Sequence, residues 1–316
     1  MPKNETTSRS AGGRRAHAAD DAGALPDEYY EGAEAGTHRK RVCHGEHHRR
    51  NPAVNTAVPA TAGGLPLAVV HVTELWRYPV KSMAGERLTT ASVGPTGIDH
   101  DRGWGVVDTV TGNVLTARRE PALLMAAARV IDGELAIRTT DGQRLRDSAD
   151  LSAWLGRPVT LEPAGDTGGT YENPADAETE TDWMSWQGPG GAWHDSARTR
   201  VSIVSTATLA EMGTDADGAG DVRRFRKNVV VDGADEDALV GARILIGTVH
   251  AVVTKQVSRC VMVTRPQPGL GRDVDVLRRI NRERGGHLGI GTIVERPGEI
   301  RLGDRVELLD STGRPG

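Results

Sequence analysis

Cys260 lies in Lys255-Gln-Val-Ser-Arg-Cys-Val-Met-Val-Thr264, directly after a long β-branched run, and is one of only two cysteines in the 316 residues. A thiol there is either a small buried hydrophobe or, as the thiolate, a soft-metal ligand or nucleophile. Arg259 and Lys255 favour the thiolate by charge. Arg223-Arg-Phe-Arg-Lys-Asn228 sets four cations and an amide just before a Val-rich run. Its guanidinium forks suit bidentate phosphate, although a solvated loop has the same composition. Pro79-Val-Lys-Ser82 and Asp99-His-Asp-Arg102 carry further groups for an anion. His194-Asp195 reads either as an acid–base pair or as a turn cap, the cap being the commoner use.

These groups need a frame. At 37% hydrophobic, the chain can bury one large core or two modest ones. A formal charge of −4 gives no global attraction to nucleic acid or anionic membrane. Cys43 and Cys260 are too few for a disulfide framework or a cysteine-bound iron–sulfur cluster. No run reaches the roughly 20 apolar residues of a membrane span, and residues 1–23 are not a signal peptide, so a cytoplasmic protein is expected. Gly-x-Gly-x-x-Gly after a strand, Walker, His-Glu-x-x-His and Gly-x-Ser-x-Gly signatures are missing.

Residues 1–66 lack either hydrophobic period and are expected to form a disordered tail. Within it, Cys43-His-Gly-Glu-His-His48 is metal-capable but lacks paired ligand knuckles. Translation starting near Val69 or Val70 is one further reading of this segment. The spacing predicts a first strand over Ala68–Trp76, and hairpins of Trp104–Asp108 with Val114–Arg118 and of Ala128–Ile131 with Leu135–Thr139. Residues 67–163 are therefore expected as a β domain and residues 164–191 as a partly docked linker. A second domain, 192–310, should hold a helix at Ser205–Met212, strands at Asn228–Asp232 and Ile244–Thr254, a helix at Val274–Arg284 and closing strands at Gly291–Glu295 and Arg305–Leu309. Residues 311–316 form a short tail. The fold class is mainly β (α+β) with few helices.

Tyr78-Pro-Val-Lys-Ser82, Gly97-Ile-Asp-His-Asp-Arg-Gly-Trp104 and Thr116-Ala-Arg-Arg-Glu-Pro121 together resemble the N-terminal β-barrel that precedes many MOSC domains. Arg224-Phe-Arg-Lys-Asn-Val-Val-Val231, Glu236-Asp237, Ile246-Gly247, Ser258-Arg-Cys260 and Gly303-Asp304 look like the MOSC domain itself, as in the mitochondrial amidoxime-reducing component and its bacterial relatives. The resemblance implies a barrel followed by a barrel-like domain, with a molybdopterin-type molybdenum cofactor whose metal takes the Cys260 thiolate. By the same carry-over, Lys81, Ser82, Arg102, Arg226, Asn228, Ser258 and Arg259 would hold the pterin and its phosphate.

The implied activity is a molybdenum-dependent oxidoreductase that reduces small N-hydroxylated compounds with electrons from a separate flavin- or haem-dependent protein. Two other functions fit the same residues: a sulfur carrier using a Cys260 persulfide, and a non-catalytic cofactor carrier. Without an aminotransferase-like domain, pyridoxal phosphate is not expected. Val257, the stretch Thr264-Arg-Pro-Gln-Pro-Gly269 and Gly291 depart from the family pattern, all on the expected substrate side.

Overall fold

The computed structural model describes residues 70–176, 179–213, 218, 220–310 and 312–315. All lie in one unit spanning Ala35–Gly316. The expected tail and its Cys43 cluster fall outside the described residues.

In chain order the first half contains β1 (Val70–Arg77), β2 (Glu86–Leu88), β3 (Thr90–Gly94), β4 (Gly97–Ile98), β5 (Trp104–Asp108), β6 (Ala126–Ile131), β7 (Glu134–Thr139), β8 (Arg144–Leu145), α1 (Ser148–Leu155) and β9 (Val159–Pro163). β10 (Thr170–Asp176) and β11 (Thr181–Gln187) follow. The second half contains β12 (Val201–Ser205), α2 (Thr206–Met212), α3 (Val222–Phe225), β13 (Val229–Val231), β14 (Arg243–Ile246), β15 (Val249–Ser258), α4 (Asp275–Arg284), β16 (His287–Arg296), β17 (Gly298–Arg301) and β18 (Arg305–Leu308). Strands dominate, as the mainly β expectation has it.

Seven strands close into a ring, β13-β12-β16-β15-β14-β18-β1, with β1 pairing back onto β13. β-branched residues from every turn of the ring fill it, including Val72, Ile203, Val229, Val231, Ile244, Val253 and Ile290. Six of the seven strands come from residues 201–308, and β1 from the start of the described chain. β3 likewise pairs with β17 in a small outer sheet. The N-terminal segment is thus woven into the second half rather than appended to it.

The remaining N-terminal strands form two small sheets, β5-β9 and β6-β7-β8, around a core of Val80, Met83, Val106, Leu115, Leu123 and Leu151. The β6–β7 hairpin turns at Asp132 and Gly133, both at positive φ, as a two-residue primed turn requires. The predicted partnership of Trp104–Asp108 with Val114–Arg118 reduces to one bridge, Val107–Val114, because β5 takes β9 as its ladder partner. Residues 164–191, expected as a linker, carry the β10–β11 hairpin, whose Tyr171 and Trp186 rings meet tilted at 55° with centroids 4.8 Å apart. A third apolar layer packs α2, α3 and α4 on the ring through Met212, Phe225, Leu277 and Ile280, against Trp76 and Tyr78. No helix among the described residues is long and apolar enough to cross a membrane.

Candidate functional site

β15 ends at Ser258, and Cys260 stands two residues later at the head of a single 3₁₀ turn, Val261–Thr264. Its half-buried sulfur accepts a hydrogen bond from Arg118 Nε at 3.4 Å. Burial pushes the thiol up, but Arg118 and then Arg259 pull harder, and the net result lies below the ordinary cysteine value. Arg118, rather than the expected Lys255, is thus the second cation at the sulfur.

Asp195 organises that side. One carboxylate oxygen accepts from Arg118 Nη2 and the other from Lys81 Nζ, both at 2.6 Å. The two cations hold Asp195 well below the carboxylate range, against the opposing effect of burial. Lys81 also donates to Trp193 O at 2.8 Å and lies 4.1 Å over the Tyr171 ring. Ser82 Oγ accepts from Ala117 N, beside Arg118. His194 turns elsewhere: it is buried, Nε2 has no partner, and burial followed by Arg102 lowers its pKa to about 3, so it is neutral. The pair reading for His194-Asp195 therefore gives way to separate roles.

A second group gathers around Tyr78. Arg226 caps α3 in the left-handed conformation (φ 53°), which turns the chain out of the helix and into β13. Arg102 (φ 52°) and Ser82 (φ 69°) share this sparsely populated region, where non-glycine residues persist only if their surroundings hold them. The Arg226 and Arg102 guanidiniums lie 4.3 and 5.0 Å over the Tyr78 ring. Arg102 pairs with Asp101 and donates to Arg226 O at 3.1 Å and Asn228 Oδ1 at 3.4 Å. Arg226 donates to Met83 O, and Arg259 Nη2 to Phe225 O at 3.1 Å. That last bond ties the neighbour of Cys260 to the residue before Arg226.

Asn228 is satisfied internally, its amide donating to Trp76 O and its carbonyl accepting from Ser202. Ser258 is half-buried at the end of β15, paired with His287. Of the expected residues, Lys81 and Ser82 join the sulfur side, Arg102, Arg226 and Asn228 form the Tyr78 group, and Arg259 links the two.

The Tyr78 group is short of negative charge. Lys227 is fully buried behind it with Nζ unpartnered, and burial, then Arg259, holds it well below its ordinary value against Glu236 and Asp237, so its charged form is disfavoured. Arg226 falls to about 10 through burial and the nearby Arg102. Arg259 Nε is buried and unpartnered too. Orphan cationic donors of this kind fit an anionic ligand, because leaving them unmet is costly. Among the described residues no group of three His, Cys, Asp or Glu side chains could hold a metal ion. A metal at Cys260 must therefore bring most of its own ligands, and the donor set fits a metal already chelated by an anionic organic cofactor.

Sequence reasoning missed Arg118 and Asp195 as site residues. Arg118 lay inside the quoted Thr116–Pro121 motif, which was its one signal. Asp195 carries only the two open readings of an acid–base pair with His194 or a turn cap, and nothing in the local sequence joins it to Lys81.

Residues 69–177 match the MOSC N-terminal beta barrel domain and residues 190–307 match the MOSC domain. The chain is 27% identical over 291 residues to mitochondrial amidoxime-reducing component 1 of Homo sapiens, covering 75% of this chain and 82% of that protein. It is 26% identical over 247 residues to the molybdenum cofactor sulfurase of Drosophila grimshawi, covering 71% of this chain but only 32% of the sulfurase. The chain thus spans about a third of the sulfurase's length. Among solved structures, the YuaD protein of Bacillus subtilis aligns with a TM-score of 0.40 at 15% identity, over 76% of this chain and 94% of that one. With its two matched domains covering most of residues 69–307, the chain belongs to the MOSC-domain proteins.

Proposed function

We propose that Cys260 ligates the molybdenum of a pterin-type cofactor and that the chain uses it to reduce N-hydroxylated compounds by two electrons. The observation that carries this is the half-buried thiol, held toward its thiolate by Arg118 and Arg259 at the edge of a cation group lacking counter-charge. The match across 82% of an amidoxime-reducing component supports the substrate class.

Bound there, the cofactor supplies a two-electron redox centre. The net reaction consumes two electrons and two protons per N–O bond and releases the N–H compound and water. The electrons come from a separate flavin- or haem-dependent protein.

The chain's own residues bind and orient. Arg102, Arg226 and Arg259 offer charge to the anionic parts of the cofactor. Ser82 and Ser258 present hydroxyls, and Asn228, spent on β12 and β1, fixes the backbone between Arg226 and β13. Lys81 acts through Asp195, which holds Arg118 on the sulfur.

The deciding measurement is molybdenum and pterin content of protein from a cofactor-making host, parent against Cys260→Ala. Near-stoichiometric molybdenum in the parent and its loss in the variant is the expected result. The partial match to a cofactor sulfurase favours a second reading, a Cys260 persulfide carrier. Molybdenum in neither protein, with a mass increase of one sulfur on Cys260 in the parent, would establish that instead.

A further inference from the structure

A second carboxylate-binding place lies on the hairpin side of Cys260. Arg265 closes the 3₁₀ turn that Cys260 opens. Its Nη2 donates to the backbone carbonyl of Arg118 at 2.6 Å, so the guanidinium abuts the residue whose side chain touches the sulfur. The same nitrogen meets Glu180 Oε2 at 2.5 Å, and Arg272 stands 3.9 Å from the other oxygen. Arg265 is 7% exposed and its Nε is buried without a partner.

A guanidinium fork matches a carboxylate best through two parallel N–H bonds, but Glu180 engages Arg265 through one nitrogen only. Glu180 reaches it from the β10–β11 connection with φ at 55°, a conformation unfavourable for glutamate. The surrounding stretch, Thr264-Arg-Pro-Gln-Pro-Gly269, contains no acid. A buried cation bonded to the residue that touches the Cys260 sulfur is therefore met by a strained, half-engaged carboxylate from a neighbouring hairpin.

We propose that Arg265, assisted by Arg272, is a carboxylate subsite for the substrate, that Glu180 occupies it in the free protein, and that the preferred substrates are small N-hydroxylated compounds bearing a carboxylate. The substrate class rests on the reductase reading above; the subsite does not.

The test titrates benzoate and its neutral counterpart benzamide into the cofactor-free full chain, following heat by calorimetry, in the parent and in Glu180→Gln and Arg265→Gln. Benzoate should bind at least tenfold tighter than benzamide. Glu180→Gln should tighten benzoate about tenfold, and Arg265→Gln should weaken it at least tenfold. If Arg265→Gln does not fold, Glu180→Gln decides alone: a purely structural Glu180 predicts unchanged or weaker benzoate binding, and either result overturns the subsite. In the cofactor-loaded protein, 4-carboxybenzamidoxime should exceed benzamidoxime in kcat/KM by tenfold or more. Benzoate binding with neither amidoxime reduced sinks the reductase reading and leaves the subsite standing. Reduction of benzamidoxime without a benzoate preference sinks the subsite alone.

Discussion

The two cation groups flanking Cys260 are compensated in opposite ways. On the sulfur side, Lys81 and Arg118 share Asp195. In the Tyr78 group, Asp101 serves Arg102, while Arg226 and Arg259 donate to backbone carbonyls. Carboxylate-paired cations fix geometry, because their charge is already spent and their directions are locked. Cations left with carbonyls and an aromatic face keep unspent charge, which suits an anion from outside. Under the proposed function, the contrast separates an orienting part of the site from a binding part.

The largest test of the contrast is a pH scan aimed at Lys81. Burial lowers its pKa from 10.5 to about 8, with Asp195 opposing and Arg118 adding to the fall. Because the folded pKa lies below the unfolded one, the charged amine is disfavoured by the fold. That cost is fully present below pH 8 and vanishes as pH rises through the unfolded value. Lys81 therefore makes the protein more stable with rising pH across this window, by up to about 3 kcal/mol. Denaturant unfolding of the parent and Lys81→Met should show the difference between them shrinking from pH 8 upward. A flat difference would mean that Asp195 fully compensates the amine and that burial has no grip on it.

A smaller effect is expected from Asp195→Asn, which keeps the shape and removes the charge shared by Lys81 and Arg118. Breaking a buried pair costs about 3–5 kcal/mol, but the Asp195 side chain is 46% exposed, so a loss of about 2 kcal/mol is expected. Loss of stability with molybdenum retained would confine Asp195 to the frame. Loss of metal with stability kept would move it into the binding group.

How much of this was legible depended on distance along the chain. The strand expected over Asn228–Asp232 could be read because Val229–Val231 is β-branched throughout, and the β6–β7 turn because Asp132-Gly133 is a turn pair; β12, interrupted by Ser202 and Ser205, was not. The single strand expected over Ile244–Thr254 breaks at Gly247, at φ 59°, where a Cβ would lie 2.4 Å from Glu299 O and Asp304 Oδ2. The closeness of β17 and its neighbours to that turn is not written locally. At the site, Cys260, Arg259 and Arg226 announce themselves by type. Arg118 to Cys260, Arg118 to Asp195 and Arg265 to Arg118 span 142, 77 and 147 residues, so no local pattern could have joined them.

The smallest effect asks whether the Tyr78 group has spare charge at all. Inorganic phosphate added to cofactor-free protein should bind the folded state through Arg226 and its neighbours and not the unfolded chain. At ten times its dissociation constant it should stabilise by about 1.4 kcal/mol, a rise of a few degrees in Tm for a protein of this size. Sodium chloride at equal ionic strength should not reproduce the shift, since exposed pairs are only screened by salt. Arg226→Met should abolish the phosphate effect and Asp195→Asn should retain it, because Asp195 supplies no donor to that group. If both variants lost it equally, the two groups would act as one electrostatic unit. The carbonyl-bonded arginines would then owe their perturbed state to burial alone, with no vacancy of charge for a ligand to fill.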